Sequence, residues 1–290
     1  MNPMQITDYL DQKKNEIEQA LQMHFDAHFE ETSVLNRAIK YSVLNGGKRI
    51  RPILCLATSE SCKAKKQDAL PAALAVELFH CSTLIHDDLP CMDDDDLRRG
   101  RPTCHIKFGE ANAVLAGDAL IIEAFKILAT EGGSNQAAEL AHAAGAGGVI
   151  AGQVADLAAE HMTPSKELVD YIHYHKTAIL IRVAVRLGAI AAQVDTSVLD
   201  SLTLFAEKIG IAFQIQDDIL DETASSDELG KPAGSDRKQS KMTYPAVYGM
   251  EASIQCVQSL TDEAIEHLKS VQLENDCLEK VAYYLVQRTK

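Results

Sequence analysis

The chain has 290 residues, with 42 Asp plus Glu against 28 Lys plus Arg, for a formal net charge of −14. That balance argues against nonspecific nucleic-acid binding, which needs a basic footprint, but leaves room for an anionic substrate held by a few local cations. Apolar types make up 46% of the chain, enough for a large core in a soluble globular protein.

The N-terminal stretch MNPMQITDYLDQKK lacks the apolar core of a signal peptide. Residues 74–85 form an apolar run. Between Pro102 and Pro164, and again from 165 to 231, there is no proline. Long stretches of Ala, Leu, Ile and Glu without proline read as helices. The most apolar of them, 113–129 and 179–194, are interrupted by Asp118, Glu123 and Lys126, and by Arg182 and Arg186. No membrane span is therefore expected. No alternating Val/Thr/aromatic run signals a strand. Turn residues mark loops at Asn45-Gly46-Gly47, Gly100-Arg101-Pro102, Gly132-Gly133-Ser134, 162–165 and 230–240. No linker divides the chain, so residues 1–290 read as one all-α domain, a bundle of about ten helices with buried central members. The seven cysteines are odd in number and include no CxxC pair, which predicts free thiols in a reducing compartment, the cytoplasm.

Two acidic clusters carry the chemistry. The first, HDDLPCMDDDDLRRGR, has six aspartates between Asp87 and Asp96, directly after the apolar run 74–85. A charge run is more often a solvated face, but this one follows a helix with the composition of a buried one. The second is QIQDDILD: Gln214, Asp217, Asp218 and Asp221 fall at i, i+3, i+4 and i+7, one face of an otherwise apolar helix. Carboxylates crowded on one stripe repel and are costly to bury, and a divalent cation relieves both penalties. Mg²⁺ suits oxygen ligands shared with a phosphate. Lys48, Arg51, His80, Arg98, Arg99, Lys176 and Lys231 supply anion ligands nearby. The residues by themselves predict a site for one or two diphosphates held through Mg²⁺ and basic groups.

At these residues the chain resembles the trans-isoprenyl diphosphate synthases. DDLPCMD (Asp87 to Asp93) is similar to that family's first aspartate-rich motif in its bacterial form, and FQIQDDILD (Phe213 to Asp221) to its second. GGKRIRP (Gly46 to Pro52), GQVADL (Gly152 to Leu157), HYHKT (His173 to Thr177) and LGKPAGSDRKQSKMTYP (Leu229 to Pro245) follow in the family's order. The nearest members are farnesyl diphosphate synthases.

The resemblance implies an isoprenoid-synthase-like helical bundle with its active site in a central cavity, usually a homodimer. It implies condensation of isopentenyl diphosphate with an allylic diphosphate, through ionisation of the allylic partner and attack on the carbocation. Two or three Mg²⁺ ions are implied, held by Asp87, Asp88 and Asp93 and by Asp217, Asp218 and Asp221. Lys48, Arg51, His80 and Arg99 would grip isopentenyl diphosphate; Arg98, Lys176 and Lys231 would grip the allylic diphosphate. Thr177 and Gln214 would face the carbocation. Gln153 and Asp156 stay open between a direct role and helix–helix hydrogen bonding. A fifteen-carbon farnesyl product is the first expectation, and the twenty-carbon geranylgeranyl product is the alternative. Many farnesyl-forming relatives carry an aromatic residue where this chain has Ser82 or Thr83, so Phe79 is the candidate floor of the product pocket. A terpene cyclase would lack the Lys48/Arg51/His80 site, a noncatalytic partner subunit would lose one aspartate motif, and a simple acidic cation-binding protein would not need apolar helices around its carboxylates.

Overall fold

Proline-free runs rich in Ala, Leu and Ile become helices, as their propensities dictate. The computed structural model describes residues 3–160, 162–223 and 242–287. In chain order the helices are α1 (Pro3–His28), α2 (Val34–Val43), α3 (Ile50–Ser61), α4 (Lys66–Asp87), α5 (Cys104–Phe108), α6 (Glu110–Thr130), α7 (Ser134–Ala144), α8 (Val149–Ala159), α9 (Lys166–Ile172), α10 (Ile179–Ala191), α11 (Thr196–Thr223), α12 (Tyr244–Tyr248), α13 (Met250–Lys269) and α14 (Cys277–Gln287). A π-helical turn, His173–Ala178, joins α9 to α10.

The fold is all-α, with more helices than the ten or so expected. The five-residue helices α5 and α12 are too short to leave a periodic signal. Two-residue strands, β1 (Leu97–Arg98) and β2 (Arg101–Pro102), also pair as a hairpin that was not foreseen. Its turn residues Arg99 and Gly100 both take positive φ, 54° and 74°, the conformation that suits a two-residue hairpin. The loop expected at 230–240 lies outside the described residues.

Helix α4 lies at the centre. It is apolar nearly all round, is buried from Ala72 to Phe79, and packs against α3, α6 and α10. By length and composition it could cross a membrane, but 72% of its apolar window is buried inside the protein, as befits a core helix. Helix α10 packs against both α4 and α11, while α4 and α11 hardly touch each other. Their acidic ends therefore stand apart across the bundle. A second cluster, including Val169, Ile172, Ala212, Ile215 and Tyr244, fastens α9, α11 and α12 together.

One buried ion pair ties the glycine loop to the core. Arg49, the N-cap of α3 at φ 53°, has a fully buried side chain. Its guanidinium donates to Glu77 Oε1 and to the Val43 carbonyl, both at 2.6 Å. Glu77→Leu leaves that charge buried without its carboxylate, and should lower unfolding stability by about 3–5 kcal/mol. Urea denaturation checks this, with Glu77→Gln expected to cost clearly less because it keeps an oxygen for Arg49.

Candidate active site

The glycines before Lys48 let a loop fold tightly under a cation. Gly46 and Gly47 adopt φ values of 76° and 134°. A Cβ on Gly47 would meet the Arg99 guanidinium at 2.7 Å, and Arg99 donates to the Gly46 carbonyl. Only glycine leaves room for that approach. Two residues beyond Arg49, Arg51 Nη1 donates to His80 Nε2 at 3.1 Å. Burial, with the Arg51 charge beside it, holds His80 well below the usual histidine pKa, so the ring is the neutral acceptor. Lys48 is exposed at the loop's edge. Lys48, Arg51, His80 and Arg99 thus gather where the start of α3 meets α4, a nitrogen-rich place for an anion.

Asp87 ends α4, and Asp93 N donates to the Asp87 carbonyl at 2.8 Å, folding residues 88–93 back onto the helix end. Asp88 is 3% exposed and accepts from Arg98 Nε at 2.6 Å. Burial pushes its carboxyl pKa up while Arg98 opposes the rise. Asp88 and Arg98 are thus paired, and with Arg99 they line a cavity beside Tyr41 and Leu84. Below them Ser82 donates to the Phe79 carbonyl at 2.6 Å and Thr83 to the His80 carbonyl at 2.8 Å. With both hydroxyls satisfied inside the helix, these side chains offer mainly carbon to their surroundings. Phe79 is buried.

On α11 the acidic stripe divides. Asp217 is half-buried, and its charge acts on the Arg51 guanidinium across the bundle. Asp218 and Asp221 are only 3% and 2% exposed. Lys176 and Thr177 sit on the π turn, a feature that no sequence signal announced and that often marks functional positions. Lys176 pairs with Asp156 of α8, which gives Asp156 the helix–helix role left open above. Thr177 Oγ1 donates to Gln214 Oε1 at 2.7 Å. Gly152 makes the α8 contact possible, since a Cβ there would run into the backbone of His175 and Lys176. Gln153 Nε2 is buried with no hydrogen-bond partner among the described residues. Lys231 lies outside the described residues. His173, buried beside Asp218, is a participant that sequence reasoning missed; the HYHKT motif contains it but nothing set it apart from His175.

The donor set is carboxylate oxygen, which fits Mg²⁺. No group of three His, Cys, Asp or Glu residues forms a ready metal cage among the described residues. Carboxylates divided between α4 and α11 suit an ion that bridges one or two of them to a phosphate, the usual habit of Mg²⁺.

The family model for polyprenyl synthetases matches residues 32–281. The chain belongs to the polyprenyl synthetase family. With it, the protein is a trans-prenyltransferase of isoprenoid biosynthesis. It is 46% identical over 276 residues to geranylgeranyl pyrophosphate synthase 7, chloroplastic, of Arabidopsis thaliana, covering 92% of this chain and 79% of that one. It is 45% identical over 274 residues to the farnesyl diphosphate synthase of Escherichia coli K12, covering 90% and 91%. Among solved structures, an FPP/GFPP synthase from Zymomonas mobilis superposes with a TM-score of 0.86 at 34% identity, covering 98% of this chain and 99% of that one. The bundle is the fold of these polyprenyl synthetases.

Proposed function

We propose that the protein joins isopentenyl diphosphate to an allylic diphosphate in a Mg²⁺-dependent head-to-tail condensation. The observation that carries this reading is the pairing of two unlike anion sites. One is built of nitrogen donors, Lys48, Arg51, His80 and Arg99; the other stands beside the carboxylates of α4 and α11. A diphosphate that only has to be held fits the first. A diphosphate that has to leave fits the second, where Asp87, Asp93 and Asp217 would hold Mg²⁺ and the ion would supply charge neutralisation. Lys176 and Arg98 border that second site and hold the leaving group by charge. Thr177 and Gln214 turn oxygens toward the developing cation, and apolar α4 and α10 keep water out. The catalysis is electrostatic and needs no protein nucleophile. The whole chain acts as one catalytic domain.

For product length, the side chains on α4 favour the longer of the two expected products. Ser82 and Thr83 are small, and Phe79 stands three residues below Ser82, about 4.5 Å along the helix. That is roughly what one more isoprene unit needs. We therefore read geranylgeranyl diphosphate as the main product. Farnesyl diphosphate is the second reading, supported by the E. coli relative, which this chain matches nearly end to end. The experiment is incubation with Mg²⁺, isopentenyl diphosphate and dimethylallyl diphosphate, then dephosphorylation and sizing of the alcohols. Geranylgeraniol is expected; farnesol would select the second reading, and no elongation would overturn both.

The reading extends to assembly and location. On α6, Val114, Leu115 and Ile122 are 40%, 55% and 68% exposed along one face, a stripe suited to a second copy of the chain. Leu115→Glu with Ile122→Glu should turn a dimer into a monomer of 31.6 kDa in light scattering. All seven cysteines are free, which supports a reducing compartment such as the cytoplasm.

A further inference from the structure

Asp218 stands next to Asp217 in the second aspartate motif, yet it is held quite differently. Its Oδ1 accepts from Gln214 Nε2 at 2.9 Å. Its Oδ2 accepts from the Tyr244 backbone N–H at 2.7 Å and lies 3.0 Å from His173 Nε2. Gln214 in turn accepts the Thr177 hydroxyl. The result is a continuous chain, Thr177 to Gln214 to Asp218 to His173, linking the π turn, α11 and α12.

We infer that Asp218 and His173 are positioning residues, which fix the orientation of Gln214 and Thr177, and that Asp218 is not a metal ligand. This rests on the prenyl-transfer reading above. A glutamine amide presents opposite dipole ends after a half-turn. Here the carboxylate of Asp218 takes the N–H end, so the carbonyl oxygen points to Thr177. Thr177 uses its own proton on that carbonyl, leaving its lone pairs for the reaction space. Two oxygen dipoles are thereby set in advance for a developing cation, the arrangement that costs no reorganisation during reaction. A flipped amide would offer N–H, the wrong end.

His173 keeps the carboxylate from turning. It is 4% exposed and stacks on Tyr244 with ring centroids 5.7 Å apart. Its Nδ1 is buried with no hydrogen-bond partner among the described residues. The contact with Asp218 is thus the polar anchorage of the ring. With each carboxylate oxygen already engaged by the protein, Asp218 is poorly placed to bind a metal as well.

The test compares wild type, Asp217→Asn, Asp218→Asn, His173→Phe and His173→Gln. Steady-state kinetics with both diphosphates are measured beside Mn²⁺ binding by electron paramagnetic resonance in the presence of inorganic diphosphate. Asp218→Asn and His173→Phe should lower kcat about 10- to 100-fold at unchanged KM, with Mn²⁺ affinity equal to wild type. His173→Gln, whose amide can still donate to Asp218, should recover most of the rate, and it keeps the test decisive if His173→Phe does not fold. Asp217→Asn should weaken Mn²⁺ binding. Loss of Mn²⁺ affinity in Asp218→Asn to the level of Asp217→Asn, or a wild-type kcat in both His173 variants, overturns the assignment. The wild-type arm separates the two failures: no elongation by wild type defeats the prenyl-transfer reading itself.

Discussion

Asp217→Ala should reduce prenyl elongation by at least about a thousandfold while leaving the fold intact. Asp217 is half-buried on α11, and its charge reaches Arg51 on the far side of the bundle. On the proposed function, removing it deletes the second-motif carboxylate that would share Mg²⁺ with a leaving diphosphate. It also leaves the guanidinium without one of its compensating charges. Because the group is only half-buried, the lost interactions are functional more than structural, and the far-UV circular dichroism spectrum and Tm should stay near wild type. Asp96→Asn, on the exposed acidic loop, is the control, with turnover expected within about twofold of wild type, as for most surface changes. A single-turnover assay with saturating substrates separates the chemical step from product release. An Asp217→Ala enzyme that keeps more than a tenth of the wild-type rate would remove Asp217 from the metal-binding role.

The second large effect is on product length. Ser82→Tyr should shorten the main product by one isoprene unit, and Phe79→Leu should shift the distribution toward longer chains. Ser82 is fully buried and its hydroxyl is satisfied by the Phe79 carbonyl. A phenol ring there would block the proposed product channel about 4.5 Å nearer the first motif than Phe79 does. Phe79→Ala would show the larger lengthening, but emptying a buried phenylalanine site costs about 3–5 kcal/mol. The milder leucine variant keeps the comparison within reach of a folded enzyme. Sizing the dephosphorylated alcohols reads both variants. An unchanged product pattern in both would dismiss α4 as the ruler of chain length.

Much of this was legible from residues alone, because helical periodicity is a local property. The absence of proline between 103 and 163, and between 165 and 231, marked the helical stretches. The i, i+3, i+4, i+7 spacing placed Gln214, Asp217, Asp218 and Asp221 on one face of α11. Gly46 and Gly47 announced the tight loop that carries Lys48.

What periodicity could not decide was which carboxylate of an adjacent pair faces substrate and which faces protein. Neighbouring residues on a helix point about 100° apart, so the answer depends on what packs against each. Asp218 meets His173 and the backbone of Tyr244, groups 45 residues back and 26 residues ahead in sequence. Asp88, at the end of α4, meets Arg98 on a hairpin too short to leave an alternating pattern. The π turn that sets Lys176 and Thr177 against α8 and α11 has no compositional mark either. Its neighbours suit it through Gly152 on α8, which has no side chain to block the approach. Sequence by itself determined the helices, the acidic stripes and the chemistry they could support. Tertiary packing alone decided which of those side chains are buried and paired, because burial and partnership belong to contacts between distant segments.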